Sequence, residues 1–541
     1  MVRFFSSMCF SVLIWGASSA APPTLTHLYP AGAKRGTTAE VTAAGTFDRW
    51  PVKVWASGNG VTAAAGRDKG KLLVTVAADA APGVYWLRAY TDDGASGLRP
   101  FIVGTLPEVA EAEPNDEAKA AQVVADSAVV NGRLAKSGDV DCYAVALRKG
   151  QTLVASVEAN ATLRSPMDAI LQVVTPDGFV VAENHDFRKL DPQLAFTAPR
   201  DGTYVARVFA FPSNPDSTIR FAGGEAYVYR LTLTTGGFAD YPVPLAVSRE
   251  NPDTVSQAGW NIPAAAKTLD VKPTAADVLT LFHPAVANSV RLRVERHPCF
   301  DFTAKPSAAP LTPPVSVTGR IEAPGGEVAV PFAGRKGGSL SIRAASRELG
   351  LAVNPVVRVV GPDGKSLARG EPARVNDDTT VNFTPPADGT YTAVVSDLFG
   401  GGGTRHVFLL RVSGPEPDYE LTVTTDRFNV PPGKSLDIPV TVTRRAGFTK
   451  SVEVVAEQLP DGVTVETKPP TGKVAPNAVT LTIGGPKAGV TGPLLLVGRV
   501  KDEPALTRPV RAALPEFETM TTDCWVTVST VVPVTSVPSK K

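Results

Sequence analysis

The chain says one thing twice, and that repetition restricts its fold more than any other feature. Asn131-Gly132-Arg133-Leu134 is answered by Thr318-Gly319-Arg320-Ile321, and Pro176-Asp177-Gly178 by Pro362-Asp363-Gly364. Asp201-Gly202-Thr203-Tyr204 is answered by Asp388-Gly389-Thr390-Tyr391, and Tyr229-Arg230-Leu231-Thr232-Leu233 by Tyr419-Glu420-Leu421-Thr422-Val423. The order is kept and the separation hardly changes, which marks a duplicated unit. A duplication also serves as an internal control. Whatever stands in one copy alone is not needed to build the fold.

The unit is made of strands. Leu153, Ala155 and Val157 alternate with Thr152, Ser156 and Glu158; Leu340, Ile342 and Ala344 repeat the alternation in the second copy, and Leu436, Ile438, Val440 and Val442 near the end. A two-residue period gives a strand one buried and one wet face. Asp177-Gly178, Asp201-Gly202 and their twins suit tight turns in which glycine takes positive φ. A helix is suggested only over 115–124, just after Pro114. Short strands punctuated in this way predict an all-β chain, a tandem array of β-sandwiches, jelly-roll-like and immunoglobulin-like. We divide it into a first sandwich at 22–106, copy 1 at 107–236, a small β-unit at 237–312, copy 2 at 313–425 and a last sandwich at 426–515. Residues 516–541 then supply one further strand around Cys524-Trp525 and a loose tail.

The start of the chain predicts export. Arg3, an apolar run from Met8 to Trp15 and small residues from Ala17 to Ala21 have the order of a secretory signal at 1–20, cut after Ala20. No later stretch is long and apolar enough to span a membrane, so a periplasmic, cell-surface or extracellular place is expected. The 54 Lys and Arg residues face 53 Asp and Glu, and loss of Arg3 would leave 53 of each. Such a balance argues against a nucleic-acid partner. Cys142, Cys299 and Cys524 would remain, an odd number, so at least one thiol is unpaired.

Glu111-Ala112-Glu113-Pro114-Asn115-Asp116, then Asn131-Gly132, then Gly138-Asp139-Val140-Asp141-Cys142-Tyr143, then Asp201-Gly202-Thr203-Tyr204 carry a family resemblance. The segment 111–233 resembles the bacterial pre-peptidase C-terminal domain, and copy 2 resembles it more weakly. The resemblance implies a non-catalytic jelly-roll-like sandwich on an exported protein, similar to the collagen-binding domains of clostridial collagenases. The first unit looks loosely like an immunoglobulin-type or IPT-like module, and the last is similar to the Ig-like modules of bacterial surface proteins.

One constellation carries chemistry. Glu111, Glu113, Asn115 and Asp116 put four oxygen-bearing side chains into six residues, and Asp139 and Asp141 follow at the start of a later strand. Calcium takes six to eight oxygen ligands. If the lead-in lies against that strand the two groups meet, and five carboxylates so close would repel one another without a cation. The resemblance implies the same ligand role for Glu111, Glu113, Asn115 and Asp116, and less directly for Asp139 and Asp141. Copy 2 has Gly325-Gly326-Glu327-Val328 at the later place, and its lead-in, read as Thr312-Pro313-Pro314-Val315, has no carboxylate. The bland alternative is a solvated acidic linker with an Asx turn.

No enzyme signature emerges: neither Gly-x-Ser-x-Gly nor His-Glu-x-x-His occurs. His27, His185, His283, His297 and His406 are scattered across the units. The glycine run 400–403 lacks the residues of a phosphate loop and reads as a flexible tip. Trp50, Trp55 and Trp86 read as sandwich core, with sugar or peptide binding as the alternative. The expected function is attachment to an extracellular polysaccharide, a protein polymer or a surface protein. The alternative is an accessory or processing module of a secreted peptidase or glycan-degrading system.

Overall fold

A computed structural model describes residues 21–529, apart from 216–219, 252, 273–275, 305, 469–476 and 487–488. The expected signal at 1–20 and the tail from 530 lie outside the described residues.

Copy 1 is two sheets over one core. One runs Glu108–Ala110, Ser127–Arg133, Val228–Thr234, Thr152–Glu158, Gln193–Thr197; the other runs Gln122–Val123, Asp141–Leu147, Gly202–Pro212, Met167–Val174, Val180–Asn184. Val130, Val145, Leu153, Leu171, Val208 and Leu231 meet between them. Copy 2 repeats the order: Cys299–Asp301, Val315–Arg320, Val407–Ser413, Leu340–Ala345, Thr379–Phe383 against Glu327–Gly334, Gly389–Asp397, Pro355–Val360, Ser366–Gly370. A single parallel bridge, Leu311 to Phe332, stands where copy 1 has Gln122–Val123.

The identity of the copies extends to single hydrogen bonds. Tyr204 donates to the Arg200 carbonyl and Tyr391 to that of Ala387, each four residues back. Lys149 N donates to Asp201, and Lys336 N to Asp388. Asp191 accepts from the amides of residues 159, 160 and 161, and Asp378 from those of 346, 347 and 348. Both copies bulge at the same place, where Val174 faces Val180 and Val360 faces Ser366.

Several local expectations change. Tyr419–Val423 does not close copy 2; it pairs with Ser435–Arg445 and Glu503–Leu514 in the last sandwich. The counterpart of Tyr229 is Phe408, because Gly132 faces Tyr229 and Gly319 faces Phe408. The glycines make room for these rings: a Cβ on either would lie 2.2 Å from Tyr229 Cζ or 2.4 Å from Phe408 Cζ. A Tyr-x-Leu-x-Val alternation is common to many strands and carries no address of its own. The lead-in of copy 2 is Cys299–Asp301, well before Thr312. The glycine run is packed rather than loose, since a Cβ on Gly402 would sit 2.1 Å from the Ala323 carbonyl carbon. Over 115–124 only a 3-10 turn forms, Ala118–Ala120, followed by the strand Gln122–Val123.

The first unit is a nine-stranded sheet curled around Val41, Leu72, Val74, Leu87 and Phe101. Among the described residues, the small unit has two three-stranded sheets, and the last sandwich has ten strands with Cys524–Val528 wholly buried among them. The last sandwich also reaches back to the first. Arg88, fully buried, donates to Asp426 at 2.7 Å and to the Asp523 carbonyl at 3.0 Å. Trp55 and Tyr90 pack on Trp525 with centroids 6.0 and 4.8 Å away, and Trp86 packs on Phe517 at 4.9 Å. Two of the three crowded tryptophans therefore serve a junction between units, and Trp50 stays at home, its ring N–H on the Gly66 carbonyl.

Candidate metal centre

The lead-in of copy 1 is held where its carboxylates must converge. Glu108–Ala110 runs parallel to Val129–Asn131, and the ladder continues as Glu111 N donates to the Asn131 carbonyl at 3.1 Å. The segment then crosses to the other sheet, where Cys142 N donates to the Asn115 carbonyl at 3.1 Å. It thus spans the end of the sandwich over Asp139 and Asp141. Glu111, Glu113 and Asp141 bring one carboxylate oxygen each within 4.8 Å of one another.

Asn115, Asp139 and Asp141 are fully buried. Asp141 accepts from the Tyr229 hydroxyl at 2.5 Å, and Tyr229 shares a 2.6 Å hydrogen bond with Tyr143. Asp139 accepts from Ala135 N, Glu111 from Arg133 N, and Glu113 from Asn115 N at 2.9 Å. The other oxygens of Asp139 and Asp141, and both side-chain polar atoms of Asn115, are buried without a hydrogen-bond partner. Asp116 is turned outward, its carboxylate 3.9 Å from Lys136 Nζ, and its carbonyl accepts from the Cys142 thiol. Lys136 Nζ also lies 3.8 Å from Asp139, beyond hydrogen-bond reach.

Burial pushes the Asp141 carboxyl up to about 9, with Glu111 adding repulsion. Burial likewise pushes Glu111 up to about 7, against the Arg133 amide that favours its charge. Each orphaned buried polar atom costs roughly 1–3 kcal/mol. An all-oxygen set of this kind, with orphaned lone pairs and repelling carboxylates, has the donor chemistry of a hard divalent cation such as calcium.

Copy 2 fills the same place with hydrocarbon. The residue that donates its N–H to Thr318, as Glu111 does to Asn131, is Phe302. Strand register puts Val328 at the place of Asp141, Val330 at that of Tyr143 and Phe408 at that of Tyr229. Phe302, Val328, Val330 and Phe408 belong to one apolar core cluster. The fold therefore closes this end with apolar packing in one copy and with ionisable groups in the other. In copy 1 the first unit lies close by: Tyr29 donates to the Asn131 carbonyl at 3.1 Å, and the Arg133 guanidinium lies 5.1 Å over its ring. Next to it, buried Arg230 binds Glu108 at 2.8 Å and packs on Gly32 of the first unit.

The remaining candidates for chemistry are interior contacts. His297 Nε2 is 2.8 Å from Ser316 Oγ, and both residues are buried. Its contact with Glu295, at 3.8 Å, is through the same ring nitrogen. Cys299 donates to the His297 carbonyl, and Cys142, Cys299 and Cys524 are all free thiols.

Fold and site together define a tandem array of β-sandwich units with an acidic cage in copy 1. No family model matches the chain, and no curated protein matches it. Among solved structures it is similar to the pre-peptidase C-terminal domain of collagenase from Bacillus anthracis: 13% identity, 23% of this chain, 100% of that chain, TM-score 0.17. It is also similar to the insect immune protein hemolin, at 13% identity over 91% of this chain and 100% of that one, TM-score 0.21. Sidekick-1 immunoglobulin domains 1–4 match at 12% identity over 92% and 96%, TM-score 0.20. The fold class rests on the sheets themselves. Among the described residues, no helix is long and apolar enough to cross a membrane.

Proposed function

We propose that the chain is an exported, non-catalytic attachment protein whose sandwich array holds binding surfaces for an extracellular polysaccharide, a protein polymer or a surface protein. In this reading both copies are pre-peptidase C-terminal-like sandwiches, and copy 1 alone holds a calcium ion, with Glu111, Glu113, Asn115, Asp139 and Asp141 as ligands and Asp116 at the rim. A bound calcium would supply the charge that lets these carboxylates stay ionised together. The protein's own contribution is position: the Asp141–Leu147 strand fixes Asp141, the Tyr229 hydroxyl orients it, and the Asn115 carbonyl anchors the lead-in. Tyr29 and Arg133 stand beside the cage, so ordering it stiffens the joint between the first two units.

The observation that supports the calcium site, and with it the array's ordered joint, is the exchange of Glu111 and Asp141 for Phe302 and Val328 within one topology. A pull-down of the full chain on insoluble polysaccharides and on collagen-like polymer, with calcium and with chelator, tests it. Retention on a polymer that weakens in chelator is the expected result. No retention on any polymer in either condition contradicts the attachment reading.

A further inference from the structure

The two copies differ at a second place. In each, the strand after the Pro-Asp-Gly turn lies at the end of its sheet, Val180–Asn184 in copy 1 and Ser366–Gly370 in copy 2. Gly178 and Gly364 turn with φ of 88° and 79°, and the shared bulge fixes the alignment. Copy 2 presents Lys365-Ser366-Leu367-Ala368-Arg369 along this edge, and copy 1 presents Phe179-Val180-Val181-Ala182-Glu183. An open sheet edge offers unpaired N–H and C=O groups to any strand it meets, and proteins blunt such edges with charge, above all lysine. Copy 2 is blunted in this way. Copy 1 leaves Phe179 72%, Val180 48% and Val181 44% exposed.

The charges along the edge indicate what it meets. From 177 to 187 the acidic residues are Asp177, Glu183 and Asp186, with no Lys or Arg. His185 is bonded to Glu183 at 2.8 Å. Of the cations around it, Arg188 faces Asp240, Lys189 binds Glu518, and Arg207, two strands in, reaches Glu183 through Gln172, which accepts from Arg207 and donates to Glu183.

We propose that the free edge of the Val180–Asn184 strand docks an extended polypeptide segment of another protein, with apolar side chains at alternate positions and basic residues at its ends. The segment adds as a further strand: main-chain hydrogen bonds supply affinity, and Phe179 and Val181 supply an apolar ledge. The inference rests on the attachment reading and gives it a partner class.

The test uses the full chain and a labelled, end-blocked peptide Lys-Val-Thr-Val-Thr-Val-Lys, followed by fluorescence anisotropy. Saturable binding that weakens with salt is expected. Phe179→Lys with Val180→Ser, residues that copy 2 carries in the same fold, should weaken it by about tenfold or more. The converse pair, Lys365→Phe with Ser366→Val, should add a second site. No binding, unchanged binding in the first variant, or equal binding of a fully N-methylated peptide overturns the proposal. So does self-association of the free chain that the first variant abolishes, since a second copy would then occupy the edge. Polymer retention that survives in the first variant leaves the attachment reading standing while the edge proposal fails.

Discussion

At the scale of single residues, the fold buries carboxylates that water would otherwise solvate. The acidic spacing of Glu111, Glu113, Asp139 and Asp141 is visible in the sequence. The hydroxyl of Tyr229 on Asp141 is not, because it arrives from a strand 88 residues away. Nor could the sequence show Asp116 facing out to Lys136, since an alternation rule does not say where an extended segment bends. Burial raises Glu111 to about 7 and Asp141 to about 9, above their values in an unfolded chain. A raised carboxyl stabilises the fold while it is protonated, and that stability is lost as pH climbs through the folded value. In chelator the melting temperature of the full chain should therefore fall between about pH 6 and pH 9; calcium should remove the cage's share by taking the place of the protons, while the share of Asp191, which burial pushes up to about 7 outside the cage, persists. Differential scanning calorimetry at both pH values checks this. A chelated protein whose stability is flat over that range contradicts the buried, protonated cage.

At the scale of elements, the duplication was legible wherever a motif is tied to a special backbone geometry. The Pro-Asp-Gly turns could be placed because their glycines take positive φ, and the Asp-Gly-Thr-Tyr strand starts because the tyrosine hydroxyl has a fixed duty there; Gly202 and Gly389, expected to take positive φ too, instead open extended strands. Tyr419–Val423 could not, because alternating apolar residues fit many sheets equally well. The twin anchors Asp191 and Asp378 were silent for another reason: a lone aspartate between strands gives no hint that three amides some thirty residues earlier point at it. Asp191 is 4% exposed and Asp378 is half-buried. Burial pushes the Asp191 carboxyl up to about 7, against the three amides that favour its charge, so above that pH Asp191→Ala should cost at least about 1.5 kcal/mol, since bonds to a charged group are worth roughly 1.5–3 kcal/mol, and Asp378→Ala should cost less because water replaces part of what is lost. Thermal or urea unfolding of both variants measures the difference. Equal and negligible losses would mean that the two carboxylates do not anchor those loops.

At the scale of the whole molecule, the sequence suggested units on a string, and the structure returns the last one to the first. Nothing in the sequence distance between Arg88 and Asp426 announces a buried ion pair, and Trp55 and Trp86 look like ordinary core until Trp525 and Phe517 arrive. Removing one partner of a buried pair leaves a stranded charge, at a cost of about 3–5 kcal/mol, whereas replacing both with apolar residues is often neutral. Arg88→Ala should thus shift the tryptophan-reported unfolding transition to markedly lower urea, and Arg88→Met with Asp426→Leu should largely restore it. Equal losses in both variants would mean that the junction depends on the charge pair itself. Over the whole chain, the central claim is one scaffold built twice with a single divalent site in the earlier copy. Calorimetric titration of calcium into the full chain tests it most directly. The account predicts one site per chain, abolished by Asp141→Asn and untouched by Asp301→Asn in copy 2; absence of binding, or binding that survives Asp141→Asn, would contradict it.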